Sequence, residues 1–461
     1  MLSPSTFASR RAALADQLSG LIVLLGNAPA PMNYPANHYP FRQDGSFLYY
    51  TGLDAPGFAL TLDADSGEAT LYGREATMED RVWDGDVPSV RERADSASIQ
   101  STAPPEALAE AVERARQSGR EVHVLPPYRG DQKILLGSLL GVGPGDVAPS
   151  EALIDAVIAQ RLIKTDEEVA EIEVAMQIAA EMHATAMRLA QPGRTEYEVA
   201  AQMEAVALAH GSFPSFPIIL TTRGEVPHHH ASPYVLREGD LLLHDAGATA
   251  PETRYCSDIT RVSPVGGTFT DRQRAITGLV LKAQMACIEA CAPGVSFREV
   301  HDLASRTIAE GLVEIGLMRG DADAIVEAGA HALFFTHGLG HAMGLDVHDM
   351  EGLGEDRVGY ADEATRSTQF GTQYLRFARA LRPGHVMTVE PGIYFNAALI
   401  AQWKDEGRFA ELVDYDEAER WVGFGGVRLE DDVLITETGH RVLGPGIPKA
   451  LDEVEAAVQA G

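Results

Sequence analysis

Cysteine is scarce in this chain, basic residues are few, and long apolar runs are missing. Only three cysteines occur in 461 residues, Cys256, Cys287 and Cys291. That excludes a disulfide framework and fits a reducing, cytoplasmic setting. No segment approaches the roughly 18 apolar residues needed to span a bilayer. Arg10 and Arg11 precede an apolar run in the manner of an export signal, but Asp16 and Gln17 interrupt it. The stretch therefore reads as an amphipathic helix followed by the strand "LIVLL". Lysine and arginine number 37 against 67 acidic residues, a formal charge of -30. Such a surface repels a phosphate backbone and an anionic membrane, so neither is expected as a partner. What is present suffices for a folded protein: at 45% hydrophobic residues the chain can bury cores in two or three domains.

The first 160 residues alternate short apolar runs, such as "FALTLD" and "ATLYG", with helical stretches such as "PEALAEAVERARQSG". This is a mixed α/β pattern. A Gly/Pro cluster, "GVGPGDVAPS", precedes a long 3.6-residue periodicity, which sets a boundary near residue 160 and gives domains 1–160 and 161–461. The second part carries an internal echo. "TDEE" at Thr165 and "TDRQ" at Thr270 each open a long helix with a capping box. Each helix stops at a Pro-Gly pair, and a second capping box follows in "PGRTEYE" and "PGVSFRE". Strand-rich sequence comes next in both cases, "GDLLLHDAGA" and "HVMTVEPGIYF". The fold class expected is α+β, with a pseudo-two-fold second domain whose site lies where the two sheets meet.

In "GDLLLHDAGATAPETRYCSDITRV" one strand runs to Asp245, Pro251 marks a turn, and a second strand carries Asp258. The two carboxylates can face each other across a hairpin, or they can be plain turn and strand-end residues. His244, one residue away from Asp245, points to the other face. Glu390 and Glu430 each end a mostly apolar strand. Burying an ionised carboxylate costs several kcal/mol unless it is compensated. Arg428 shares a strand face with Glu430 and can partner it; the other carboxylates need cations. "FFTHGLGHAMGLDVHDM" adds His337, His341 and His348 beside Asp346 and Asp349, which are read as neighbours of the site or surface residues. A single-zinc H-E-x-x-H site fails, because Gly338 stands where a glutamate is required and Gly338 with Gly340 disfavours the helix. Four carboxylates and one imidazole suit two divalent ions.

Asp245, Asp258, His341, Glu390 and Glu430, set in "DAG", "SDITR", "HGLGH", "TVEPGIY" and "GGVRLEDD", resemble the dinuclear metallopeptidases of the pita-bread fold, aminopeptidase P and prolidase. The likeness extends to "NHYPFRQDGSFLYYTGL" in the first domain. It implies that those five residues hold two divalent ions, manganese foremost and cobalt or zinc as alternatives. Glu390 then also shuttles a proton, His337 and His348 line the cleft, and Arg428 joins them in the catalytic set. His228, or one of its neighbours His229 and His230, is similar to the family histidine that meets the substrate. Arg376 resembles the arginine prolidase uses on a substrate carboxylate, and is otherwise a surface arginine. Asp258 stands thirteen residues after Asp245, two more than usual in that family, an even insertion that leaves both on one face. The implied activity is removal of the N-terminal residue from Xaa-Pro-Yaa peptides, with Xaa-Pro dipeptide cleavage as the alternative. A cytoplasmic homo-oligomer, dimer or tetramer, is expected. Metal-free creatine hydrolases and metal-less binding modules share the fold, but all five ligand positions are filled here.

Overall fold

The short apolar runs "LIVLL" and "ALTLD" are realised as Leu21–Leu25 (β1) and Ala59–Asp63 (β2), paired antiparallel with Val23 opposite Thr61. Ala69–Tyr72 (β3), Ser101–Ala103 (β4) and Val122–Val124 (β5) complete a sheet of order β4-β3-β2-β1-β5. The Ala107–Gln117 helix lays Leu108, Val112 and Ala115, spaced on one helical face, onto Leu21, Val23, Tyr72 and Val124. Arg10 and Arg11 are buried on the Pro4–Ala15 helix and donate to the carbonyls of Tyr49, Tyr50 and Ala97. This arginine pair is part of the packing of the first unit.

The computed structural model describes residues 2–461 and divides into two units. One runs to Arg161 and includes Met350–Arg357; the other comprises Leu162–Asp349 and Val358–Gly461. In the second unit the four long helices are Asp166–Leu189, Glu196–Ala209, Asp271–Ala290 and Phe297–Ile315. Each opens with a formed capping box: Thr165 with Glu168, Thr195 with Glu198, Thr270 with Gln273, and Ser296 with Glu299. The first helix pair is followed by Ile219–Thr221 (β6), Leu241–Ala246 (β7) and Ile259–Pro264 (β8), a sheet of order β6-β7-β8. The second pair is followed by Val386–Val389 (β9), Gly392–Tyr394 (β10), Gly426–Arg428 (β11), Asp431–Ile435 (β12) and His440–Val442 (β13). Here β13-β12-β9 form one sheet and β10-β11 another.

Residues of β7 and β8 are buried along their whole length, so both faces of this hairpin are covered. The face carrying His244 meets the Asp166–Leu189 helix, where His183 hydrogen-bonds the His244 ring at 2.8 Å. On the opposite side the two sheets join at a bridge between Thr260 and Glu430. Arg261, buried, donates to the Glu430 carbonyl and the Asp431 carboxylate, both at 2.6 Å. All three cysteines are buried thiols outside any disulfide, and no helix among the described residues is long and apolar enough to cross a membrane.

Lys164, just before the first long helix, and Asp349, just after His348, form an ion pair of 2.9 Å with both side chains 1% exposed. Asp349 is therefore an interior residue; of the two readings given for it, neighbour of the site or surface residue, the second is excluded. A buried pair broken on one side leaves a charge in low dielectric, at a cost of roughly 3–5 kcal/mol. Lys164→Met is expected to lower the denaturation midpoint accordingly, and Lys164→Met with Asp349→Leu to restore much of the loss. Urea titrations of the three proteins check this.

Candidate metal centre

The β7–β8 hairpin keeps a single register. Asp245 faces Thr260, and the outer rung pairs Thr249 with Cys256 before the turn at Pro251. Asp258 lies two residues from Thr260, so it shares a face with Asp245. Pairing continues past the site to the Thr249–Cys256 rung.

His341 sits on a segment that runs along β9. Its N–H donates to Thr388 Oγ1 and its carbonyl accepts from the Thr388 N–H, both at 3.0 Å, while the Glu390 N–H reaches the Leu339 carbonyl at 2.8 Å. This close approach explains the neighbouring glycine: a Cβ on Gly340 would stand 2.0 Å from the Thr388 carbonyl oxygen. The His341 Nδ1 lies 3.1 Å from the Ala342 carbonyl. A carbonyl only accepts, so Nδ1 carries the proton and Nε2 presents its lone pair. Nε2 faces Asp258 Oδ2 at 3.5 Å and Glu390 Oε1 at 3.6 Å.

Asp258, His341 and Glu430 each offer one atom within 4.8 Å of the others, and all three are buried. Asp245 approaches the same centre from β7. Its Oδ2 accepts from Arg428 at 2.5 Å, while its Oδ1 is buried without a hydrogen-bond partner. Burial, then the charges of Asp245 and its neighbours, push the Asp258 and Glu430 carboxyls well above the usual range. Glu390 is pushed up to about 8, by burial first and by Asp258 and Asp245 against the opposing pull of Arg428. One guanidinium cannot neutralise four carboxylates. The partnerless Oδ1 of Asp245, the lone pair of His341 and the oxygen-rich donor set fit divalent cations.

Arg428 corrects the sequence expectation. It does not pair with Glu430, because Thr260 stands between them: Arg428 Nε donates to Thr260 Oγ1 at 3.1 Å, and that hydroxyl donates to Glu430 Oε2 at 2.6 Å. The guanidinium reaches across to Asp245 and, at 3.0 Å, to the Tyr394 hydroxyl. Tyr394 lies 2.7 Å from His337 Nε2. The other His337 nitrogen lies 2.7 Å from the Gly338 carbonyl, and burial with Arg428 pushes this imidazole down to about 3. His337 is thus neutral and accepts from Tyr394. In this position it supports the tyrosine hydroxyl.

His348 stacks edge-on to His341, with ring centroids 4.4 Å apart. Among the three consecutive histidines, His229 Nδ1 is engaged by Thr221 Oγ1 and His230 Nδ1 by the Ile218 carbonyl, both at 3.0 Å. His228, exposed, is held below its usual range by partial desolvation and then by Arg428, while Asp245 pulls the other way and Arg376 adds to the depression. Half-buried Arg376 therefore lies near His228. Sequence reasoning missed Thr260, Thr388, Tyr394 and Asp432. All four stand inside the quoted motifs, and Tyr394 follows Glu390 by four residues. Asp432, buried, accepts the Asp258 N–H at 3.0 Å and has a partnerless Oδ1.

Residues 170–437 match metallopeptidase family M24, and residues 7–124 match the aminopeptidase P N-terminal domain. The chain is 32% identical to an Xaa-Pro aminopeptidase of Escherichia coli over 479 residues, spanning 100% of this chain and 98% of that one. It is 30% identical to a human Xaa-Pro dipeptidase over 459 residues, 96% and 90% of the two chains. A solved structure of zinc-substituted E. coli aminopeptidase P in complex with product superposes with a TM-score of 0.81 at 28% identity, covering 100% of this chain and 99% of the other. The architecture, a mixed α/β N-terminal domain before a catalytic domain, is the pita-bread fold of those enzymes.

Ion-free protein provides a test of the charge balance. A carboxyl raised in the folded state binds its proton more tightly there than in the unfolded chain. Its contribution is fully present below the unfolded value, and it is lost as pH rises through the folded one. Without metal, stability is expected to fall between about pH 4.5 and pH 8, the window set by Glu390. Added divalent ion is expected to remove that slope. Thermal unfolding across this pH range, with and without chelator, measures it.

Proposed function

This chain belongs to metallopeptidase family M24 and is an enzyme of that type; from that premise we propose that it removes the N-terminal residue from Xaa-Pro-Yaa peptides. The observation that carries the reading is the buried group of Asp258, His341 and Glu430, whose ligand atoms lie within 4.8 Å of one another, with Glu390 3.6 Å from His341 and one Asp245 oxygen buried without a partner. We assign these five as ligands of two divalent ions, manganese first on the oxygen-rich donor set, cobalt or zinc otherwise. Such ions supply a water activated near neutral pH and polarise the scissile carbonyl.

The protein's own groups do the rest. Glu390, raised to about 8 without metal and hydrogen-bonded by Thr388 Oγ1 at 3.2 Å, is the carboxylate placed to take a proton and return it to the leaving nitrogen. An Xaa-Pro bond is a tertiary amide whose nitrogen has no hydrogen to donate, so it cannot be gripped through that N–H, and like any leaving amide nitrogen it must receive a proton to depart. His228 and His348 are assigned to donate to the developing oxyanion. Arg428 and His337 orient Asp245 and Tyr394. We further propose a cytoplasmic homo-oligomer, dimer or tetramer, with a domain boundary near residue 160.

Dipeptide cleavage is the second reading, and Arg376 near His228 favours it. An arginine that grips a free carboxylate after proline rewards a dipeptide and penalises a continuing chain.

Stripped of metal, the enzyme is expected to lose activity and to regain it best with manganese; elemental analysis of an active but metal-free preparation would overturn the reading. Glu430→Ala is expected to lose bound ion. His348→Ala is expected to keep its metal while turnover drops by roughly 10². The kcat/KM ratio for Ala-Pro-Ala over Ala-Pro decides the substrate: above one supports the aminopeptidase, below one the dipeptidase.

A further inference from the structure

Glu196, the first residue of its helix, is 1% exposed and is not among the residues that face the metal centre. The helix has no need of its carboxylate, because Thr195 and Glu198 already form the capping box. The side chain turns outward instead. Oε1 accepts from the Thr222 N–H at 2.7 Å and the Thr222 hydroxyl at 2.9 Å. Oε2 accepts from the Ser232 N–H at 3.0 Å and the Ser232 hydroxyl at 2.6 Å. A carboxylate has about four acceptor positions, and all are used. Thr222 and Ser232 are the two ends of the segment that carries His228.

That segment has little buried surface, and its internal backbone bonds are Val226 N–H to the Arg223 carbonyl and His229 N–H to the Val226 carbonyl, both at 3.0 Å. Between residues 223 and 231 only Gly224 is buried. Its anchors to the rest of the unit include the Arg223 N–H to Thr221 Oγ1 at 2.9 Å, Asn396 to the Glu225 carbonyl at 3.3 Å, Arg428 to the Pro227 carbonyl at 3.5 Å, the close approach of Gly224 to Gly426, and the contacts of His229 and His230. A segment with so little buried surface opens easily unless its ends are fixed. Burying a carboxylate is costly, and four charge-assisted hydrogen bonds to two residues offset that cost only when both ends are in place.

We infer that Glu196 is a positioning residue that staples the two ends of the 222–232 segment and so holds His228 ready beside Asp245 and Arg428. The inference rests on the assignment of His228 to the substrate. Glu196→Gln keeps the volume but sets an amide N–H₂ against donors at one end, releasing that end while the helix remains capped.

With manganese supplied and Ala-Pro-Ala as substrate, Glu196→Gln is expected to reduce kcat/KM about tenfold, the effect of losing hydrogen bonds to a charged group. Manganese affinity by calorimetry is expected to stay the same. Combined with His228→Ala, it is expected to add nothing beyond His228→Ala alone, since two residues acting through one contact are not additive. Hydrogen exchange is expected to quicken at the amides of residues 222–232 and to be unchanged within the Glu196–Ala209 helix. Ser232→Ala, a milder change at one end, is expected to give a smaller loss with the same non-additivity. Multiplicative losses in the double variants, or exchange that quickens in the helix as well, would overturn the inference and leave the role of His228 standing. An unimpaired His228→Ala enzyme would overturn that role and the inference with it.

Discussion

Four carboxylates brought together in a buried space repel one another, and this constraint governs the second unit. Asp245, Asp258 and Glu430 are buried and Glu390 is 17% exposed. Burial and mutual charge raise Asp258, Glu390 and Glu430. Arg428 offsets part of the charge, and the hydroxyls of Thr260 and Thr388 spread some of it through hydrogen bonds. The remainder calls for cations. A protein that retained this arrangement for packing alone would gain by replacing it with apolar side chains, so the arrangement is understood through the ions it can hold.

The groups divide by the elements that carry them. Of the five residues proposed as ligands, Asp245 lies in β7, and Asp258 and Glu390 adjoin the ends of β8 and β9. Glu430, between β11 and β12, is bridged to Thr260, and His341 is backbone-bonded to Thr388. Each side chain is thus set by a strand in or beside which it stands. The residues assigned to the substrate, His228, His348 and Arg376, stand outside regular strands and helices and depend on anchors placed elsewhere. The Lys164–Asp349 pair lies next to His348, and Glu196 holds the ends of the segment with His228. Rigid ligands beside separately fastened loops allow the substrate side to vary while the metal side stays constant.

The three acidic residues of "EDD" show how far tertiary context reaches. Glu430 faces the metal centre and is raised. Asp431, against the upward push of burial, is held below its usual range by Arg261 and Lys449. Asp432 is raised, by burial and then by Asp258. Alternation along a strand accounts for Asp431 leaving the shared face, but nothing local distinguishes Glu430 from Asp432.

The sequence by itself determined what short-range physics controls. The four capping boxes, the helix pairs they open, the hairpin with Asp245 and Asp258 on one face, and the turning away of His244 all follow from spacings of two to four residues along one backbone. The non-helical run around His341 was legible too, from Gly338 and Gly340. The tertiary structure alone decided the pairings between distant segments. Arg428 joins Asp245 and leaves Glu430 to Thr260, His337 supports Tyr394, and Asp349 goes inside to Lys164. It also decided which of three adjacent histidines are tied down, His229 by Thr221 and His230 by the Ile218 carbonyl. The reason is physical: a helix cap or strand face is set by dihedral periodicity within a few residues, whereas the partner of a buried charge depends on which donors two separate sheets bring within about 3 Å, the reach of a hydrogen bond.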